Sequence, residues 1–534
     1  MSQPYGLACT GGLHTSINEI EALKQPGVAT KLTNFEVDTD GGYRRINGYS
    51  AFGAGSAARP NSTNKILGLQ VYADGVIACS GTNIYFSQDG TSWLQLNRAS
   101  VSGSGDNYTA FTGRSVAART GQGQPTFTIF EGTYDYGLVL ICDGANEPFF
   151  FRMEGTGDLN TRTFFAGEVT VSSTLAPTVG VIHDKHFVVG GADTADNIIY
   201  YSGTNDPDDF TSSGSGNITL TDKVIGLASF RDDLIIFCNN SIFKLININN
   251  SSTIAVVPIT ENVGCMDRNT IQEIGGDLIF LSPDGLRTVA GTARIGDTEL
   301  GVISSPIQPV IKEIARDIDN FQLCSAILRN KSQYRLFYNV DATANATAKG
   351  FIGTLTREGF QYSQTEGIKA TALTSDFDKD GVEQTYHGDS DGYVYNHDTG
   401  NDFNPAGTAA NIRTVYKTPN LDFGDFGTRK TLRYVKVSVS PEGTITPTLR
   451  VRYDYEDATL AQPLDYVLDS IPPPSIFGSA VFNSNVLGAT PDPLVRQAVQ
   501  GSGHTVSFII TSDDKLSPFT LNGLYIDYSP TGRR

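Results

Sequence analysis

The segment Asp376-Phe377-Asp378-Lys379-Asp380-Gly381 sets carboxylates at alternate positions ahead of a glycine, a pattern able to wrap oxygen ligands around Ca²⁺. Asp376, Asp378 and Asp380, with Glu383 in a shorter loop, are the candidate metal ligands, and calcium is the one cofactor suggested. A full EF-hand loop counted from Asp376 needs its closing Glu where His387 stands. The simpler reading, an acidic turn between two strands, is preferred. Of the six histidines, His183 and His186 flank a turn, where solvent-exposed rings pointing opposite ways are expected rather than a metal pair.

The better-defined catalytic signatures are missing: no nucleophile elbow, no phosphate-cradling loop ending in Lys-Ser or Lys-Thr, and no His-Glu-x-x-His helix. A carboxylate pair flanking a glycosidic bond leaves no mark in sequence spacing, and an acidic chain offers many such residues. Scattered Tyr and Phe are more often strand filler than sugar platforms, and the single Trp93 weakens the sugar reading further. The formal net charge of −18 argues against an extended nucleic-acid surface, because phosphate binding runs on Lys and Arg. Arg44 and Arg45 are the one early basic pair. Cys9, Cys79, Cys142, Cys238, Cys265 and Cys324 are widely spaced, mostly inside apolar runs, and read as small buried hydrophobes in a reducing compartment.

The elements that must position these residues are short strands. A chain of 534 residues with 56 Gly, 23 Tyr and 29 Phe but 3 Met favours an all-β fold of several domains. Between about 61 and 400 one theme recurs, apolar strands joined by turns such as Asp74-Gly75 and Asp89-Gly90. The runs starting at Leu138, Phe187, Leu234 and Leu278 are 49, 47 and 44 residues apart, near the roughly 40 to 50 residues of a propeller blade. A β-propeller is therefore expected over 61–400, ahead of strung Greek-key sandwiches. Residues 1–60 would complete or dock it. Ile307, Val310, Ile311, Ile314 and Ile318 fall at helical spacing and predict one short amphipathic helix over 306–318, with Pro309 in its first turn. Residues 401–411, rich in Gly, Ala, Asn and Pro, read as a linker, and 412–534 as a separate β-sandwich-like domain with Val435, Val437 and Val439 on one face. Pro472, Pro473 and Pro474 mark a long proline-rich loop there.

Four stretches resemble the nozzle, tail tubular and packaged-DNA stabilisation proteins of tailed bacteriophages. The first runs Gly11-Gly12-Leu13, Pro26-Gly27-Val28-Ala29, Asn34-Phe35-Glu36 and Gly42-Tyr43-Arg44-Arg45-Ile46-Asn47-Gly48-Tyr49. The second is Tyr201-Ser202-Gly203-Thr204-Asn205-Asp206-Pro207 with the strand pair from Lys223 to Phe237. The others are Ile303-Ser304-Ser305-Pro306-Ile307, leading into the helix, and the hairpin Gly388-Asp389-Ser390-Asp391-Gly392-Tyr393-Val394-Tyr395. None is a catalytic motif.

The resemblance implies a non-enzymatic virion protein, a propeller assembled as a homo-oligomeric ring of six, below the head-to-tail connector. It would extend the channel and retain packaged DNA until ejection, with adaptor or portal-connector proteins and tail fibres as partners and DNA passing without specific binding. Its place would be the phage tail, after synthesis in the host cytoplasm; residues 1–16 carry no secretion pattern and no run suits a membrane span. Candidate subunit contacts are Arg44, Arg45, Pro306, Ile307 and Pro472 to Pro474, and deleting residues 1–49 is expected to abolish docking while sparing the propeller. The alternative is a receptor-binding or glycan-degrading propeller at the virion tip, with clustered aromatics and a carboxylate pair in a pocket. A bacterial propeller adhesin is a third reading, disfavoured by the lack of a secretion signal.

Overall fold

Apolar runs between glycine turns fold here into small antiparallel sheets. The computed structural model describes residues 3–25, 27–53, 59–61, 63–96, 119–121, 123–156, 162–169, 171, 175–289, 302–340, 348–468 and 494–533. Among the described residues, sheets at 66–95, 126–168, 179–219, 224–260, 272–288 and 372–397 are six propeller blades of three or four strands. A further position in the ring, between the fifth and last blades, is filled by Phe321–Leu328, Gln333–Val340, Lys349–Thr356 and Gly359–Glu366, the first four strands of a nine-stranded sheet. Apolar seams join each sheet to the next and the last blade back to the first, where Ala372, Tyr386 and Val394 meet Ile66, Leu69 and Val76.

The expected strand spacing falls on the second strand of successive blades: Leu138–Cys142, His186–Gly190, Asp233–Cys238 and Asp277–Ser282. These strands read as continuous apolar runs because both faces of each blade are covered by its neighbours. All six cysteines are buried, several in such strands. The helix spans Gln308–Arg316 and turns Val310, Ile311 and Ile314 into the main core. No helix among the described residues is long and apolar enough to cross a membrane.

The C-terminal strands form a sandwich. One sheet centres on Thr428–Pro441 and Phe519–Arg533, and the other contains Ile412–Lys417, Val506–Asp514 and Thr448–Tyr453. The sandwich is not separate, however. The second sheet continues into the propeller through Lys31–Thr33, which pairs with Ile412–Lys417 on one side and meets Gln364 on the other. Gln3–Ala8 pairs along Phe519–Arg533, the hairpin of Phe35–Val37 and Tyr43–Arg45 joins the same sheet, and Tyr49–Ala51 becomes the outer strand of the last blade. Residues 401–411 are not an extended linker either: Phe403 is buried, bridges to Ala410 and stacks on Tyr49 at 5.2 Å.

The N-terminal segment thus supplies strands to the propeller and to both sandwich sheets. That corrects the expectation that deleting 1–49 would spare the propeller. The residues at the start of the chain explain themselves in this role. Asn34, at φ 55°, donates to the carbonyls of Glu366 and Arg413 and accepts from the Glu366 N–H, tying propeller to sandwich. The Tyr43 hydroxyl accepts from the Gly12 N–H at 3.1 Å and lies 2.8 Å and 3.0 Å from the Thr10 and Gly27 carbonyls. A Cβ on Gly48 would lie 1.7 Å from the Asp402 carbonyl oxygen, so only glycine fits.

Candidate functional site: the propeller axis and the ionic junction

The inner strands of the blades and of the closing sheet surround a cavity of about 450 Å³ on the propeller axis. Its walls are polar where they meet: Gln70, Thr128, Ser229, Gln272, Glu273, Ser325 and Asp376 line it. Gln124 bridges several of these walls. Its Nε2 donates to the Leu323 carbonyl at 3.0 Å and to the Thr371 carbonyl at 3.4 Å, while Asn269 Nδ2 donates to its Oε1 at 2.9 Å. Arg268, half-buried and next to Asn269 in sequence, donates to the Gln124 carbonyl. Gln124 therefore links its own blade to the fifth blade, the closing sheet and the last blade.

The described lining holds two carboxylates, Glu273 and Asp376, on different sheets, and one aromatic ring, Phe127. Asp376 Oδ2 accepts from Gln70 Nε2 at 3.1 Å. Clustered aromatics, expected of a sugar-reading pocket, are not found among these residues.

The four candidate metal ligands do not converge. Asp378 Oδ1 accepts the N–H groups of Asp380 and Val382, and its Oδ2 accepts from Gln384, so this carboxylate closes the turn between Ala372–Phe377 and Glu383–Gly388. Asp380 pairs with Lys379 at 2.9 Å. Glu383 accepts from the Arg329 and Asn330 N–H groups and from Ser375 Oγ, on the neighbouring sheet side. Among the described residues no group of three or more His, Cys, Asp or Glu is placed to hold a metal. The geometry is that of an acidic turn. His183 and His186 are buried, not exposed: Nδ1 of His183 meets Ser229 Oγ at 2.9 Å, and His186 bridges the Ser202 carbonyl and Asn249 Oδ1. Their hairpin is short enough that neighbouring strands close over both rings.

The candidate contact residues are largely engaged inside the chain. Arg44 forks onto Glu442, at 2.5 Å and 2.9 Å, and reaches Glu36 at 2.8 Å. Arg45 is 1% exposed and donates to Asp514 and to the carbonyls of Leu516 and Asn401. The carboxylates expected on a neighbouring subunit are thus supplied by the same chain. Ile307 is fully buried in the main core, and the half-buried Pro306 accepts N–H groups of Thr15 and Ser16 through its carbonyl. Pro472, Pro473 and Pro474 lie outside the described residues.

Sequence reading missed the junction around Glu36. This buried carboxylate accepts from Arg44, Lys331, Gln333 and Arg335, and Asp398 shares Lys331 at 2.7 Å and Arg335 at 3.1 Å. Burial alone would raise the Asp398 carboxyl, yet Arg335 and Lys331 hold it well below the usual carboxylate range. Arg335 Nη1 is a donor only, so His397 Nε2 accepts from it at 3.0 Å. His397 Nδ1 then carries the proton and donates to His387 Nδ1 at 3.2 Å. Burial lowers the His387 pKa to about 3, and burial with His387 and Arg335 nearby also holds that of His397 well below the ordinary histidine value. Both rings are neutral at ordinary pH. The partners come from four distant stretches, a distribution that no local motif reveals. What this arrangement does is lock the propeller, the sandwich and the N-terminal segment together.

No family model matches the chain, and no curated protein matches it. Among solved structures, an exo-β-1,3-galactanase from Phanerochaete chrysosporium with galactose is similar at TM-score 0.26 and 8% identity, over 90% of this chain and 100% of that one. BBS1N in complex with ARL6DN is similar at TM-score 0.25 and 9% identity, over 62% of this chain and 76% of that one. At these scores neither likeness bears on activity, and the propeller is read from the chain's own strand pairing.

Proposed function

We propose that this chain is a structural subunit of a tailed-phage nozzle, assembled as a ring below the head-to-tail connector and retaining packaged DNA until ejection. The observation that carries the reading is the role of residues 11–49. The stretch that most resembles nozzle proteins stitches propeller and sandwich into one unit through Asn34, Tyr43 and Tyr49. A unit tied in this way suits a ring under tension, because force on one part is shared by continuous sheet. The DNA path would run through the centre of the ring, between subunits. A net charge of −18 favours a wall that repels DNA and lets it slide, an effect that salt screens over about 8 to 10 Å.

The reading is tested by incubating the purified chain with connector complexes that lack it and imaging the product. A cap of this protein extending the channel is expected. A chain that ignores connectors and instead binds or cleaves cell-surface glycan through the axial cavity would replace it with the receptor-binding or glycan-degrading alternative.

A further inference from the structure

We propose that the axial cavity binds a small sugar acid, whose one carboxylate meets Arg268 and whose hydroxyls meet the amide and hydroxyl groups of the walls. The inference goes beyond the nozzle reading and does not depend on it. At about 450 Å³ the cavity falls among small-molecule sites, which run from roughly 300 to 1,000 Å³.

The guanidinium of Arg268 is left without a counter-charge. It lines the cavity from the 3₁₀ turn Arg268–Thr270, just ahead of the strand Gln272–Ile274. Nη2 donates to the Gln124 carbonyl, Nε is sealed away without a partner, and Nη1 has none among the described residues, which leaves it to the cavity. Asp267, next in sequence, spends Oδ1 on the Asn269 N–H at 2.7 Å, and among the described residues no carboxylate pairs with Arg268. Burial lowers the Arg268 pKa, with Asp267 opposing that shift from nearby. A half-buried cation in this state favours an oxyanion, and the planar carboxylate is the partner that matches a guanidinium.

The two lining carboxylates stand at the other end of the axis. Thr371 Oγ1 donates to the Ile66 carbonyl at 2.7 Å where their strands begin, and Gln70 Nε2 donates to Asp376 at 3.1 Å near the ends of the same strands, so both run the same way along the axis. Gln124 reaches the Thr371 carbonyl and Arg268 the Gln124 carbonyl, which puts the guanidinium at the starting end. Asp376 lies four residues of strand beyond Ala372, roughly 13 Å and outside the screening length of about 8 to 10 Å. Glu273 is exposed beside the turn whose Gly276 carbonyl accepts from Arg231, itself just past the end of Val224–Phe230. Between the two ends, Thr128 Oγ1 accepts from the Ile182 N–H and has its proton left to give. Gln70 and Gln272 donate through their amides and have their side-chain carbonyls left to accept. Such walls take hydroxyls. The far carboxylates repel a second negative charge, and the one aromatic ring, Phe127, offers little stacking, so a monoanionic polyol fits where a nucleotide or a dicarboxylate does not.

The test is titration calorimetry of D-glucuronate into the full chain, with D-glucose, inorganic phosphate and D-glucarate as comparisons. One saturable site per chain is expected, with D-glucose weaker by about tenfold or more, the worth of one charged hydrogen bond. Arg268→Gln is expected to lose a similar factor of about tenfold, with far-ultraviolet circular dichroism unchanged. D-glucarate, which carries a carboxylate at each end, is expected to be refused by the wild type and to bind about tenfold more tightly to the double variant Asp376→Asn with Glu273→Gln. That gain is readable even where Arg268→Gln does not fold. D-glucuronate held no more tightly than D-glucose, or held equally by the wild type and a folded Arg268→Gln, would overturn the proposal, as would tighter binding of inorganic phosphate. A chain that caps connectors yet binds no D-glucuronate would remove this inference and leave the nozzle reading standing.

Discussion

Glu36 is the residue on which most charge converges, and its removal is the sharpest single test of the junction. Glu36→Gln keeps the shape but leaves Lys331 and Arg335 sharing Asp398 alone, and a buried ion pair broken on one side costs about 3–5 kcal/mol. A large fall in melting temperature is expected, with no change in far-ultraviolet circular dichroism below the transition. The histidine pair sets the pH response. In the unfolded chain a histidine takes up a proton near pH 6.5, whereas His387 in the folded chain does so only near pH 3. Its contribution to stability is therefore complete above pH 6.5 and is lost as pH falls through that window, by about 1.4 kcal/mol per pH unit. His397 and the lowered Asp398 act in the same direction. Stability measured by denaturant titration should decline from pH 6.5 toward 4, and His387→Phe should flatten part of that slope. A slope unchanged in the variant would show that His387 titrates normally.

At the scale of elements, the N-terminal segment is the keystone. Deleting residues 1–51 removes the outer strand of the last blade and strands from both sandwich sheets, so loss of cooperative thermal unfolding is expected rather than a folded propeller. Gly48→Ala is a milder probe: its methyl group meets the Asp402 backbone, and protease cutting near residues 46–51 should rise well above that of the wild type. Much of this architecture was legible in the sequence. The blade strands announced themselves as apolar runs at near-constant spacing, and the helix at 306–318 by its period, found as Gln308–Arg316. The stitching was not legible, because Lys31–Thr33 and Tyr49–Ala51 are three-residue strands whose partners lie hundreds of positions away. At Asp376 to Asp380 the preferred reading, an acidic turn, agrees with the backbone N–H groups that Asp378 accepts, and calcium stood as the alternative because alternation alone cannot tell carboxylates that cap backbone N–H groups from carboxylates that converge.

For the whole molecule, the propeller and sandwich share one nine-stranded sheet. Arg44 and Arg45 were legible as a basic pair but not as internal ties, since sequence does not show that Glu442 and Asp514 come to meet them. The measurement that bears most directly on the central claim is the mass of the full chain in solution by light scattering, alone and after mixing with connector complexes that lack it. A closed ring, or a single chain that closes into one on the connector, is the predicted result. A single chain that stays so in the presence of connectors would contradict the account.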